Sequence, residues 1–240
     1  MAGLYAFLAF RASGAYCCRQ KFNLLKGIGM ESKYIVFDGM DGSGKGTQME
    51  LLKKKLPEVV FTREPGGTPF AEEIRNLVRD NPLAGQSTPL NNLLLFWAAR
   101  EECMHNLVMP ALKAGKHVFS DRGDSSTFAF QICGEEQGEL MDFFMSLRKL
   151  VFAENSGRRQ PDLYIVFDLP AEVARERALQ DASRTKTHFD LRNIGYYERV
   201  RDGFQMFAGW WPVEFVDADR TPEEVHNSVM KILATKAILD

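Results

Sequence analysis

From residue 34 onward, short runs of β-branched and aromatic residues alternate with longer stretches whose apolar positions recur every three or four residues. The runs at 34–37, 59–61, 117–120, 163–168 and 213–216 are short, nearly all apolar and flanked by turn residues. That pattern predicts strands buried on both faces. The stretches at 45–56, 69–78, 90–114, 126–132, 138–152, 171–180, 195–208 and 222–238 carry the helical period. Pro69 sits well at the first turn of its helix, and Thr221 is a helix N-cap with Glu223 and Glu224 in the turn that follows. Pro110 is expected to kink the 90–114 helix and Gly115 to end it. Residues 181–190 are polar and aperiodic, so they read as a loop. Strands and helices in strict alternation predict an α/β fold: an open parallel sheet of about five strands with helices on both faces.

Composition adds bounds. The chain has 240 residues, long enough for one α/β domain with a full core, and 45% hydrophobic and 26% charged residues are ordinary for a globular protein. A net charge of −2 gives no nucleic-acid-coating surface, and no apolar run approaches the ~18 residues of a membrane span. The four cysteines show no metal-ligand spacing, so a reduced, cytoplasmic protein is the simplest expectation. Residues 1–30 differ from the rest. They hold Arg11, Arg19, Lys21 and Lys26 and no acidic residue, whereas the remaining 210 carry a net −6. We expect a separate N-terminal extension there, targeting or unstructured, and one domain over 31–240 that includes a lid at about 181–190.

The chemistry starts between the first strand and the first helix. Gly39, Gly44 and Lys45 match the spacing G-x-x-x-x-G-K of a phosphate loop, in its strand-loop-helix setting. Glycines let successive backbone N–H groups wrap a polyphosphate, the helix N-terminus adds positive potential, and Lys45 adds a movable cation. The residue after the lysine is Gly46 rather than Ser or Thr, so either a Mg²⁺ contact is removed or Thr47 supplies the hydroxyl instead. Asp121 follows the third strand, on the edge that carries the loop, where a carboxylate holds Mg²⁺ or its waters. Arg122 beside it suits a bidentate grip on phosphate. Arg63 ends the second strand, and both a second phosphate site and a surface ion pair fit it. Within 90–114, Leu93, Phe96, Arg100, Cys103 and Leu107 share one face. An arginine in that stripe is either a core ion pair or the reader of a base edge stacked on Phe96.

Taken together, the loop FDGMDGSGKGTQ, the TREPGGTP turn, the LLLFWAAR helix, the SDRGDSST segment followed by Gln131, and the PDLYIVFDLP strand resemble the thymidylate kinase family over nearly all of 33–240. The resemblance implies transfer of the γ-phosphoryl of ATP to dTMP with Mg²⁺, on a P-loop fold. It implies that Gly39, Gly42, Ser43, Gly44, Lys45, Gly46 and Thr47 hold ATP, with Thr47 and Asp121 at the metal. Asp41 then meets the acceptor's 3′-hydroxyl, Arg63 and Arg122 hold its phosphate, and Phe96 and Arg100 stack on and read thymine. Thr127, Gln131 and Phe189 line the base and sugar pocket. Lys45, Asp41, Arg122 and a lid arginine form the catalytic group. The phosphate loop has no arginine of its own, so the lid arginine is Arg184, ahead of Arg177 and Arg192. The family is usually a homodimer, and the apolar 126–150 region is a candidate contact. Departures are Gly46, Thr187-His188 in place of an Asp-Arg pair, and Gly123 in place of a larger residue, which suggests extra room near the acceptor. Two alternatives follow: a kinase of broader deoxynucleoside monophosphate range (dUMP, dGMP or a modified base), and a regulatory ATPase without an acceptor. Against the second stand the missing N-K-x-D motif and the second set of phosphate-gripping arginines.

Overall fold

The computed structural model describes residues 32–152, 159–182, 186–187 and 189–239. The expected N-terminal extension lies outside the described residues, as do Arg184 and His188 of the lid. Five strands, β1 (Tyr34–Gly39), β2 (Val60–Arg63), β3 (Val118–Asp121), β4 (Leu163–Asp168) and β5 (Val213–Asp217), form one sheet in the order β2-β3-β1-β4-β5. Every pair is parallel. All six residues of β1 are buried, and successive side chains point to opposite faces. Ile35 and Phe37 pack with Met49 and Leu52 of α1 (Lys45–Lys55) and Val229 of α9 (Pro222–Thr235). Tyr34 and Val36 pack instead with Leu93 and Trp97 of α3 (Pro89–Cys103) and Phe144 of α6 (Met141–Val151).

A parallel sheet brings all strand C-termini to one edge, and ligands bind there, where the chain order reverses beside β1. Asp121 falls inside β3, one residue later than the pattern suggested, with Phe37 on one side and Arg63 on the other in register. The phosphate loop leaves β1 at that edge.

Three helical segments depart from the expected form. The 90–114 stretch does not run as one α-helix. After α3 it widens into a π-helical turn, Met104–Val108, where the Met109 N–H bonds to Met104 O, before α4 (Met109–Lys113). Pro110 has no N–H to donate, and the wider turn absorbs that missing bond without a break. The segment after β3 begins with α5 (Asp124–Ser126) and continues as a π-helical run, Thr127–Gly134. That run is buried, with Gly134 and Ala129 packed closely on α8 (Ile194–Ala208). Within 126–150, the exposed large apolar side chains are Phe143, Met145 and Leu150 of α6. Helix α2 (Pro69–Arg75) likewise passes into a π-helical turn, Asn76–Asp80.

Candidate active site

The loop between β1 and α1 is shaped by two close constraints. Gly42 has φ 84, and a Cβ on it would lie 2.1 Å from Ala174 O of α7 (Ala171–Gln180), so only glycine lets loop and helix approach. Gly44 caps α1 in the left-handed region with φ 77 and has open space beside it. There the backbone conformation, not crowding, requires glycine. The buried Ser43 hydroxyl has no hydrogen-bond partner. A hollow lies over the loop, walled by residues 40–47, Arg79, Asp121, Arg122 and Asp181. Gly39, which ends β1, does not line it. Lys45 Nζ donates to Asp121 Oδ1. Burial opposes charge on Asp121, but Lys45 and Arg122 outweigh it and hold the carboxyl below its usual range.

Arg122 has φ 71, an unusual backbone for an arginine, and its guanidinium is fixed on every side. Nη2 donates to Asp41 Oδ1 at 2.8 Å, while Nη1 donates to Ser126 Oγ at 3.0 Å and Gly39 O at 3.1 Å. Beneath it the fully buried Asp38 accepts from Ser125 Oγ at 2.5 Å and Ser126 Oγ at 2.6 Å. Burial pushes the Asp38 carboxyl up, against the pull of Arg122. Asp38 thus anchors Ser126, which braces Arg122, and holds Ser125 beside it, a role that no motif spacing exposed.

Asp41 and Arg122 also wall a second pocket, whose sides are Pro65, Phe96, Phe130 and Phe189 and whose floor is Arg100. Arg100 is 2% exposed. Its Nε donates to Glu64 Oε2 at 2.6 Å and its Nη2 to Thr127 Oγ1 at 2.9 Å, leaving Nη1 buried without a partner. Tyr34 Oη donates to the other Glu64 oxygen at 3.0 Å. The two readings of Arg100 therefore merge: it is a core ion pair, and one donor nitrogen remains for a ligand. Gln131 lines the same pocket, as does Thr187, whose N–H and hydroxyl both donate to Asp190 Oδ2 at 2.8 and 2.9 Å.

The structure brings Asp41, Phe96, Arg100, Arg122, Thr127, Gln131 and Phe189 to one pocket but does not bring Arg63 there. Arg63 is exposed and donates from Nε and Nη2 to Glu72 at 3.1 and 2.8 Å, in a hollow on the far side of Asp121. The arginine in the pocket is Arg75, whose Nη1 donates to Pro65 O at 2.9 Å. Burial first, and then Arg79 and Arg63, lower its pKa to about 10. Its signal was available: Arg75 interrupts the buried stripe Ala71, Ile74 and Val78, as Arg100 does in its own helix. The expectation of extra room at Gly123 is also corrected. Its backbone is extended, and a Cβ there would meet Val36 Cγ1 at 2.9 Å, so the neighbouring β1 side chain already fills that space.

Of the lid arginines in view, Arg177 donates to Ala218 O at 3.1 Å and Asp219 at 2.7 Å, and Arg192 pairs with Glu135 at 2.5 Å. Neither lines the hollow over the phosphate loop. Among the described residues no three His, Cys, Asp or Glu side chains gather into a metal cluster. A hard divalent cation bound beside a polyphosphate needs only one or two protein oxygens, and an ionised Asp121 with the exposed Thr47 hydroxyl on the same hollow fits that donor set.

The comparisons with known proteins agree with one another. A family model described as thymidylate kinase matches residues 37–229. The thymidylate kinase of Pelotomaculum thermopropionicum is 36% identical over 217 residues, covering 88% of this chain and 96% of that protein. That of Wolbachia pipientis is 40% identical over 182 residues, covering 73% and 80%. The crystal structure of thymidylate kinase from Ehrlichia chaffeensis superposes with a TM-score of 0.65 at 31% identity, over 85% of this chain and 98% of that one.

Proposed function

The chain belongs to the thymidylate kinase family, and from that premise we propose how its residues divide the work of moving the γ-phosphoryl of ATP to dTMP. It is a phosphotransferase that phosphorylates dTMP. The observation that carries our assignment is the pair of hollows sharing one wall, Asp41 and Arg122. One is a phosphate cradle. The other has an aromatic side and a floor with one unused donor.

ATP phosphates lie on the amides of 42–47, and Lys45 leaves Asp121 to follow them. Mg²⁺, held through Thr47 and Asp121, supplies charge neutralisation on the polyphosphate when bound. Thymine stacks on Phe96, and Arg100 Nη1 donates to its 4-carbonyl. Cytosine presents an amino group at that position, so two donors would face each other. Asp41 accepts from the sugar hydroxyl, and Arg75 and Arg122 hold the acceptor phosphate. Arg184 of the lid adds its charge at the transferring group. Phosphoryl transfer needs little covalent help from the protein, so alignment and charge neutralisation carry the rate. We also assign a homodimer through α3 and α6, where Leu90, Leu94, Phe143 and Leu150 are exposed. No helix among the described residues is long and apolar enough to cross a membrane.

ADP formation with ATP, Mg²⁺ and each of dTMP, dUMP, dGMP, dAMP and dCMP, with a no-acceptor control, tests the reading. We expect dTMP to dominate, with dCMP down by at least ~100-fold for a buried donor left unpaired. Equal rates on several acceptors, or ADP without any, would overturn it. Position separates two arginines as well. Arg63→Ala should leave KM for dTMP within about threefold, because its charge is spent on Glu72 at the surface. Arg75→Ala should raise it by ~10–100-fold, the worth of one charge-assisted hydrogen bond. A larger effect at Arg63 than at Arg75 would return the phosphate site to the strand end.

A further inference from the structure

We infer that Arg79 is a further catalytic residue, a cation that reaches the phosphoryl group in transit from the acceptor-side helix; the inference rests on the kinase reading above. Arg79 lines the hollow over the phosphate loop, together with Lys45, Asp121 and Arg122. Arg75, four residues before it, lines the acceptor pocket. Arg75 ends α2 and Arg79 lies in the π-helical turn that continues it, so one short segment sends an arginine into each of the two hollows, beside the wall that the hollows share. In-line transfer has to occur across that wall, so a cation at Arg79 stands beside the path.

The charge balance around Arg79 points the same way. Arg122 already shares its charge with Asp41 and Asp38 and bonds Gly39 O and Ser126 through its two terminal nitrogens. Arg79 is only partly exposed, and the nearest carboxylate to it among the described residues is that of its own neighbour Asp80, at 4.0 Å. Arg75 is destabilised as a cation first by burial and then by the nearby Arg79 and Arg63. Glu72 takes up the charge of Arg63, whereas that of Arg79 is met only by Asp80 at 4.0 Å among the described residues, and the anions this site is built for are the substrate phosphates. The phosphate loop itself contains Met40, Asp41, Gly42 and Ser43 and no arginine. Arg79 also sits in the π-helical turn Asn76–Asp80, a form that recurs at functional sites because it re-aims a side chain.

Arg79→Gln and Arg79→Lys are compared with the wild-type chain at saturating ATP, Mg²⁺ and dTMP, with calorimetric binding of dTMP alone and thermal midpoints measured in parallel. Losing a charge-assisted contact made at the transferring group should cut kcat by ~10- to 100-fold in Arg79→Gln. Arg79→Lys should restore much of it, while dTMP affinity stays within about threefold and the midpoint is unchanged. A kcat within about twofold of wild type overturns the inference. So does a loss confined to dTMP affinity, or one that tracks a lowered midpoint and is not restored by lysine. If the wild-type chain prefers another acceptor, the dTMP reading fails on its own, and the same comparison made with that acceptor still decides the role of Arg79.

Discussion

Arg122→Gln is expected to lower kcat by ~10³-fold or more, the range for an arginine at a transferring phosphoryl group. The size follows from placement. Among the described residues Arg122 is the one cation that walls both hollows, so its guanidinium faces donor and acceptor at once. It is preorganised by four bonds from different elements, so it spends no ordering entropy as the barrier is crossed. Three carboxylates, Asp41, Asp38 and Asp121, keep it charged against burial. Lysine should rescue poorly, because a point charge does not reproduce the fork that meets Asp41 through one nitrogen and Ser126 and Gly39 through the other. The measurement is steady-state turnover together with dTMP affinity. We expect the affinity to fall far less than kcat, since Arg75 still holds the ground-state phosphate. A drop in kcat of less than about tenfold would remove Arg122 from the transferring group.

What the sequence disclosed and what it hid divide along a physical line. Local sterics are legible. The phosphate loop needs glycine where φ is positive at Gly44 and where α7 presses on Gly42, and its spacing shows at once. Periodicity put Phe96 and Arg100 on one helix face, and both line the pocket. Tertiary choice is not legible. Arg63 and Arg75 are both arginines near one Pro-Gly-Gly turn, and only the fold sends Arg63 to the surface with Glu72 and Arg75 into the pocket. Gly123 looked like spare room because nothing nearby in the chain announces that Val36 of β1 occupies it. Pro110 marked a disturbed helix in the sequence, but the π-helical turn that precedes it, Met104–Val108, leaves no periodic signature of its own. Asp38 had no role in the sequence reading, yet it braces Arg122 directly and through Ser126 of a distant segment.

Arg100→Ala should cost more stability than any other substitution in the pocket, about 3–5 kcal/mol, because it strands Glu64 as a buried carboxylate. Both partners are 2% exposed, so no solvent screens the pair. Burial already pushes the Glu64 carboxyl above its ordinary range, and Arg100 is the main offset. Without Arg100 the folded pKa rises further. The folded variant then holds a proton at pH values where the unfolded chain has released it, so stability falls as pH rises through that raised value and is recovered as pH falls toward the ordinary glutamate value of about 4.3. Thermal midpoints of Arg100→Ala across pH should therefore climb on acidification over a range where wild type does not. The double variant Glu64→Gln/Arg100→Ala removes the stranded charge and should be more stable near neutral pH than the single one, with the extra pH dependence gone. Both variants still lose the donor for the base, so both should raise KM for dTMP by at least ~100-fold. A double variant no more stable than the single one would mean that lost packing against Trp97, whose ring lies 4.3 Å from the guanidinium, outweighs the Glu64 charge.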